Sequence, residues 1–189
     1  MSRSLMIDGR LIDDDAPAYV IAELGGTHGG SVDTAKQLAE MAARAGAEAC
    51  KHQKREVERL YSQALLEQPY DHEHSYGATY GQHRTVLEFD HAQYVALQHH
   101  ATSRRLTFFA TAFDEASADF LMDLEVPALK LHSGALTDVP LLRHCAGLGV
   151  PVLLSTGGGT IEDIDRAHDL LGACPHALLH CTAAYPLVP

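Results

Sequence analysis

Two lysines stand inside stretches of the sequence that are otherwise apolar, and both could bind an anion. The 189 residues include only four lysines; Lys51 follows Ala49 and Cys50, and Lys130 lies between two leucines. A buried ammonium group is costly unless it pairs with a carboxylate or binds an anionic ligand. The pattern therefore favours a site for a phosphate or carboxylate group. A structural ion pair, such as one between Lys51 and Glu23, is the alternative.

Further polar side chains follow the apolar runs in the same way. Glu23 is placed to act as a base or to bind a sugar hydroxyl. His132 lies two residues after Lys130, so the two side chains share a face if this segment is an extended strand. The loop 155–159 (STGGG) offers backbone N–H groups that attract anions, although an ordinary strand-to-helix turn has the same composition. The other candidate ligand-binding residues are Gln53, Thr111, Ser133, Ser155 and Tyr185.

The candidate residues lie in or just after short apolar runs, which alternate with segments of helical periodicity. Strands are predicted at 19–24, 47–53, 106–111, 128–133, 150–155 and 177–182. Helices are predicted at 33–45, 90–103, 114–123, 138–146 and 160–171, and the polar segment 54–88 has no predicted element. Such alternation is typical of an α/β protein with a parallel sheet covered by helices, in which the carboxyl ends of the strands form the working face.

The regular spacing of these units distinguishes between two parallel architectures. Units that recur every 20 residues or so favour a (β/α)8 TIM-barrel type of fold over a doubly wound open sheet. A closed barrel of this type has about eight strands, whereas the sequence predicts six. We therefore expect residues 1–189 to form one incomplete β/α barrel with about six of the eight units present.

Composition and charge exclude several classes of protein. Acidic residues outnumber basic ones by 25 to 14, which gives a net charge of −11 and the wrong sign for binding nucleic acid or an anionic membrane. No apolar run is long enough to cross a membrane, and no secretory signal is recognisable. The four cysteines include no CxxC motif, so they are interpreted as small buried hydrophobes of a reducing compartment. We expect a cytoplasmic protein with no nucleic-acid partner.

The strand-end segments together resemble the sialic acid synthase family, the phosphoenolpyruvate-dependent enzymes that make N-acetylneuraminate or its 9-phosphate. The matching segments are 21–28 (IAELGGTH), 51–54 (KHQK), 130–134 (KLHSG), 154–157 (LSTG) and 180–186 (HCTAAYP). Segment 68–81 (QPYDHEHSYGATYG), followed by 87–89 (LEF), is most similar to the animal-type branch. The resemblance extends from about residue 5 to the last residue.

The resemblance implies a transferase that condenses phosphoenolpyruvate with N-acetylmannosamine or its 6-phosphate and releases phosphate. It also implies a homodimer, in which a C-terminal antifreeze-like domain, absent from residues 1–189, completes the partner's site. A divalent metal, Mn or Mg, would polarise the aldehyde of the sugar. Because the family's metal-binding histidines belong to the seventh and eighth strands, no metal ligand is expected within this chain.

The family's site residues can be carried over to matching positions of this sequence. The resemblance implies catalytic roles for Glu23, Lys51 and Lys130, with Glu23 binding the amino sugar or transferring a proton. The residues implied to hold the phosphate and carboxylate of phosphoenolpyruvate are Lys51, Lys130, Ser133 and Ser155, with Thr111 beside them. Tyr185 would line the sugar site, and Gln53 and His132 are further candidates for substrate binding.

The sequence departs from the family pattern at Thr27, His132, Gly158 and Ala183, and these departures and the length of the chain limit what the resemblance implies. Ala183 stands where the family has Asn or Ser, so one hydrogen bond to phosphate is missing. Such a bond to a charged group contributes about 1.5–3 kcal/mol, or roughly tenfold or more in affinity. Without the last two strands, we expect the chain alone to be unable to catalyse the condensation, and its exposed strand edges to promote assembly or aggregation.

Several hypotheses are therefore open. The chain is a piece of a longer synthase, or a second chain supplies the missing strands, or it is a non-catalytic relative that binds an anion or serves in assembly. Another phosphoenolpyruvate-dependent aldol-type synthase on the same barrel is a further alternative.

Overall fold

The computed structural model describes residues 3–184, and within them the six predicted strands and five predicted helices occur in the predicted order, together with further elements that were not predicted. These residues form two compact units: unit A comprises residues 19–110, and unit B comprises residues 3–18 and 111–184. The strands are β1 (Ser4–Ile7), β2 (Arg10–Asp13), β3 (Ile21–Glu23), β4 (Ala49–Lys54), β5 (Thr107–Ala112), β6 (Leu129–Leu131), β7 (Val152–Ser155) and β8 (His176–Leu179). The helices are α1 (Val32–Arg44), α2 (Val57–Leu60), α3 (Gln63–Leu66), α4 (Tyr80–Val86), α5 (His91–Ser103), α6 (Glu115–Asp123), α7 (Val139–Ala146) and α8 (Ile161–Leu171), with a 3-10 helix at Ser133–Thr137.

The main helices begin where the sequence supplies capping side chains. Ser31 accepts a hydrogen bond from the backbone N–H of Thr34 at the start of α1. Asp90 and Gln93 form a reciprocal capping box at the start of α5. Because these caps satisfy N–H groups that have no partner within the helix, they define the helix start locally. All five predicted helices are present within two residues of the predicted bounds.

In unit A the parallel strands follow one another in the order β3, β4, β5, although the last two residues of β5 belong to unit B. The pairing of β3 with β4 places Glu23 directly opposite Lys51. Ala49, Cys50 and the ring of His52 are almost completely buried in β4. Alternation of side chains along the strand therefore puts Lys51 and Gln53 on one face and His52 on the other.

In unit B the order is β6, β7, β8, again in parallel, with Lys130 opposite Leu153 and Ser155 opposite Leu179. The leucines of β6 and β7 are buried on both faces of the sheet, as expected for strands covered by helices. This unit also contains the antiparallel hairpin β1–β2, which the sequence pattern did not predict.

The polar segment 54–88 contains three short helices, α2, α3 and α4, where no element was predicted. The longest of them, α4, has seven residues, which is too short for apolar periodicity to identify. Among the described residues, no helix combines the length and the apolar character that a membrane span requires.

Candidate functional site

In unit A the predicted base and the first predicted lysine form an ion pair. The Lys51 amine contacts the Glu23 carboxylate; the lysine side chain is 9% exposed and the glutamate side chain 49% exposed. Their opposite positions on β3 and β4 place the two groups on the same face of the sheet. The ion pair that the sequence allowed as an alternative for Lys51 is therefore present, and one side of its carboxylate remains open to solvent.

Burial and charge act in opposite directions on the Lys51 amine. Burial lowers the pKa of Lys51 below its ordinary value, the Glu23 carboxylate raises it, and the nearby Arg55 guanidinium lowers it again. The Glu23 carboxylate therefore favours the ammonium form of Lys51 and opposes the effect of burial. Such a group can bind an anion if the carboxylate moves or shares it.

Gln53 connects this pair to a second group of buried charges in unit A. Its Nε2 donates to Glu23 Oε1 at 3.4 Å, and its Oε1 accepts a hydrogen bond from the Arg55 guanidinium. Arg55 in turn contacts Glu88 through its backbone N–H at 3.0 Å and through Nη1 at 3.4 Å. Sequence reasoning missed both Arg55 and Glu88. The two-residue alternation of Lys51, Gln53 and residue 55 is the signal that could have identified Arg55.

His28 and His52 lie together in unit A, away from the charged face of β4. The rings of the two histidines are 6.1 Å apart; His28 stacks on Phe89 at 4.3 Å, and His52 lies 5.4 Å from Phe108. Burial lowers the pKa of His28 and lowers the pKa of His52 to about 3. Burial therefore favours the neutral form of both rings, and both pack against aromatic side chains.

In unit B the second predicted lysine is joined to one of the predicted serines. Lys130 is 8% exposed, and its amine donates to Ser155 Oγ at 2.5 Å and to the Leu131 carbonyl at 2.5 Å. Ser155 lies two residues beyond Leu153, the partner of Lys130 in the neighbouring strand, so both polar groups lie on one face near the carboxyl ends of β6 and β7. The structure thus brings together Lys130 and Ser155, two of the candidate ligand-binding residues.

Ser133 and the glycine-rich loop after β7 adjoin this pair. Ser133 Oγ accepts a hydrogen bond from the backbone N–H of Gly157 at 3.1 Å. A Cβ at Gly157 would lie 3.1 Å from the Cys181 carbonyl and 3.3 Å from the Ala183 methyl group, so the loop is closely packed against the segment after β8. Lys130, Ser155, Ser133 and this loop form a cluster of hydrogen-bond donors, which we call the unit B donor cluster.

The remaining predicted residues are placed as follows. Thr111 is 3% exposed and lies near the carboxyl end of β5. His132 caps the 3-10 helix by accepting a hydrogen bond from the Gly134 N–H, and its ring stacks on Phe113 at 4.3 Å. Tyr185 lies outside the described residues.

Within residues 3–184, no three His, Cys, Asp or Glu side chains lie close enough together to hold a metal ion. The described part of this chain therefore does not fit the divalent metal that the resemblance implies. The cysteines are all free thiols, with Cys50 and Cys145 buried and each pKa raised to about 12 by burial.

Comparison with known proteins identifies relatives along almost the whole chain. The profile of the NeuB family matches residues 38–189. The chain is 38% identical over 183 residues to the human N-acetylneuraminate-9-phosphate synthase, which covers 96% of this chain and 51% of the human protein. It is 37% identical over 187 residues to the Drosophila melanogaster N-acetylneuraminate-9-phosphate synthase, with 97% of this chain and 50% of that protein covered.

A solved structure has the same fold. It is the N-acetylneuraminic acid synthetase of Leptospira borgpetersenii, crystallised with citrate, with a TM-score of 0.85 and 27% sequence identity. The match covers 100% of this chain and 62% of that one. The predicted α/β fold is thus confirmed, while the chain spans about half the length of the curated relatives it matches.

Proposed function

The chain belongs to the NeuB family, and we propose that it forms the phosphoenolpyruvate-binding part of a synthase. The proposed reaction condenses phosphoenolpyruvate with N-acetylmannosamine or its 6-phosphate. C3 of phosphoenolpyruvate forms a bond to the aldehyde carbon, water adds at C2, and the C2–O bond to the departing phosphate breaks. The products are sialic acid or its 9-phosphate and inorganic phosphate, so all atoms are accounted for.

The observation that carries this proposal is the unit B donor cluster. The cluster contains a buried ammonium group, a serine hydroxyl hydrogen-bonded to it, and a second serine beside a glycine-rich loop. Phosphate and carboxylate groups bind to donors of these kinds. The protein as a whole has a net charge of −11, so an anion must be attracted by such local donors rather than by the general field. We therefore assign Lys130, Ser155 and Ser133, together with Thr111, to phosphoenolpyruvate binding.

The ion pair of unit A supports a second part of the proposal. Lys51 contributes a further ammonium group to phosphoenolpyruvate, while Glu23, whose side chain is half exposed, is free on one side to bind the amino sugar or transfer a proton. Gln53 orients that carboxylate. His132 and Tyr185 remain candidates for substrate contacts, and a homodimer in the cytoplasm remains the proposed state of the whole enzyme.

The test is isothermal titration calorimetry with phosphoenolpyruvate on the purified chain. We expect Lys130→Ala to weaken binding roughly tenfold to a hundredfold, because a charge-assisted contact to a buried anion is lost. Lys51→Ala should weaken binding in the same range. Lys36→Ala, which removes a positive charge from α1, is the matched control and should leave the affinity unchanged.

The double variant Lys51→Ala/Lys130→Ala tests whether both amines hold the same molecule. If both amines contact one ligand, their contributions to binding should be coupled. The loss of binding free energy in the double variant should then differ from the sum of the losses in the two single variants. Equal affinity in the wild type and in Lys130→Ala would overturn the assignment.

Ala183 favours a second candidate, a non-catalytic module that binds an anion or serves in assembly. This residue is exposed and has no polar side chain at a position where the family places one. Release of phosphate from phosphoenolpyruvate and N-acetylmannosamine by the purified chain with manganese would exclude that candidate. Phosphate release with a different aldehyde would instead indicate another aldol-type synthase.

A further inference from the structure

Arg55 and Glu88 are two buried charges in unit A to which the proposed function assigns no role. Arg55 is 7% exposed, and the Glu88 side chain is 12% exposed. Their contacts form one continuous series with the candidate site: Glu88 pairs with Arg55, Arg55 donates to Gln53, Gln53 donates to Glu23, and Glu23 pairs with Lys51. All five residues belong to unit A.

The donors and acceptors on either side of Gln53 allow only one orientation of its amide group. A guanidinium group can only donate, so it requires the oxygen of the Gln53 amide to face it. The amide nitrogen then faces Glu23, where a carboxylate can only accept. With the amide reversed, two donors would face each other at Arg55 and two acceptors at Glu23.

Both ends of Gln53 are held by buried groups. Its backbone carbonyl accepts a hydrogen bond from the Tyr94 hydroxyl at 2.7 Å, and Tyr94 is 1% exposed. At the amide end, Arg55 donates to the Gln53 oxygen, and Glu88 holds Arg55 by accepting a hydrogen bond from its backbone N–H. The Glu88 carboxylate also lies 3.8 Å from the Lys54 amine. A side chain fixed at its backbone and at its amide loses little rotational freedom when it positions a neighbour.

We propose that Arg55 and Glu88 are positioning residues, which hold the Gln53 amide with its N–H toward Glu23 and thereby keep the Glu23 carboxylate on Lys51. Their effect on the carboxylate passes through the two hydrogen bonds of the Gln53 amide. The inference rests on the proposed function in treating Glu23 and Lys51 as a substrate site.

The experiment is a double-mutant cycle with the Lys51 amine as the readout. The chain has only four lysines, so NMR of protein labelled with 13C at the lysine side chains resolves each amine, and Lys51→Arg assigns the signal. The variants are Arg55→Met, Gln53→Met and the pair together, each titrated without any ligand. Lys54→Met, which removes another cation near Glu88, is the control.

The expected result is a coupling between the two positions. Loss of the Arg55 charge directly raises the pKa of Lys51, because that charge lowers it in the wild type. Loosening of Glu23 lowers the pKa of Lys51, because Glu23 raises it. Only the second effect requires Gln53. Arg55→Met should therefore raise the pKa of Lys51 more in the Gln53→Met background than in the wild type, and the two shifts should differ by roughly half a pH unit. Lys54→Met should show no such difference between backgrounds.

An equal shift in both backgrounds would overturn the proposal. If Arg55→Met does not fold, as judged by circular dichroism, Glu88→Gln replaces it. That variant should lower the pKa of Lys51 more in the wild type than in the Gln53→Met background. Because the titration uses no phosphoenolpyruvate, a failure of the proposed function in calorimetry and a failure of this inference are separate outcomes.

Discussion

His52 shows how a titratable side chain can be used as a packing group. Its ring is 1% exposed and lies near the rings of His28 and Phe108. Among the described residues, its Nδ1 has no hydrogen-bond partner, which is a cost of about 1–3 kcal/mol for a buried polar atom. Burial, together with the positive charges that His28 and Lys51 can carry, lowers the pKa of His52 to about 3.

This lowered pKa predicts a loss of stability in acid. The unfolded chain binds a proton at His52 near pH 6.5, while the folded chain does so only near pH 3. Stability is therefore complete above about pH 6.5 and decreases as the pH falls toward about 3. Between about pH 7.5 and pH 5, the unfolding free energy of the wild type should fall by about 2 kcal/mol more than that of His52→Phe.

The measurement is urea unfolding of the wild type and of His52→Phe at the two pH values. His99→Phe makes the same replacement at a histidine on α5 that is not buried, and it should lose as much stability in acid as the wild type. An unchanged acid loss in His52→Phe would show that the ring is not neutral in the folded protein.

At the scale of elements, the turn between β3 and α1 is held against the end of α4 inside unit A. Gly30 has a φ of +80°, and a Cβ at this position would lie 2.4 Å from the Val86 carbonyl oxygen. Only glycine allows both this backbone conformation and this close approach. This turn begins two residues after Glu23, the candidate base.

Gly30→Ala should destabilise the chain more than a matched substitution elsewhere. Gly46 has a similar φ of +86°, and a Cβ added there would meet no atom within 4 Å, so Gly46→Ala reports the backbone strain alone, about 1–2 kcal/mol. The clash at Gly30 should add about 1–3 kcal/mol. Thermal unfolding of both variants is the measurement, and equal losses would show that α4 yields to the added methyl group.

The elements that could be predicted are those defined by local signals. Apolar runs and helical periodicity located the six strands and the five longer helices, because both signals act within a few residues. The hairpin β1–β2 was missed although it has a recognisable turn, Asp8-Gly9, in which both residues have positive φ. Helices α2–α4 could not be predicted, since a helix of four to seven residues is stabilised by its neighbours rather than by its own pattern.

At the scale of the whole molecule, strand β8 presents an edge that favours self-association. Among residues 3–184, β8 pairs with β7 and with no other strand, and Leu178 on it is 38% exposed. Unpaired N–H and C=O groups on an edge strand provide a template for a second chain, and a lysine placed there opposes such pairing.

We expect the purified chain to associate with increasing concentration and Leu178→Lys to weaken that association at least about tenfold. Ile161→Lys is the control, because it removes a more exposed apolar side chain, 68% exposed, from α8 rather than from the strand edge. Sedimentation velocity over a range of concentrations measures both. The same weakening in the two variants would indicate general hydrophobic association instead of edge pairing.

The order of the six strands and five helices, the family, and the strand ends at which the polar residues stand could all be read from the sequence, because they depend on local spacing and motifs. The partners of these side chains depend on the folded chain: Lys51 contacts Glu23, Lys130 contacts Ser155, and Gln53 contacts Arg55. Long flexible side chains can reach several neighbours, and the one chosen depends on strand register and on burial, which raises the cost of any unpaired charge. For that reason the contact between Arg55 and Glu88, which are 33 positions apart in the chain, could not be predicted from local spacing.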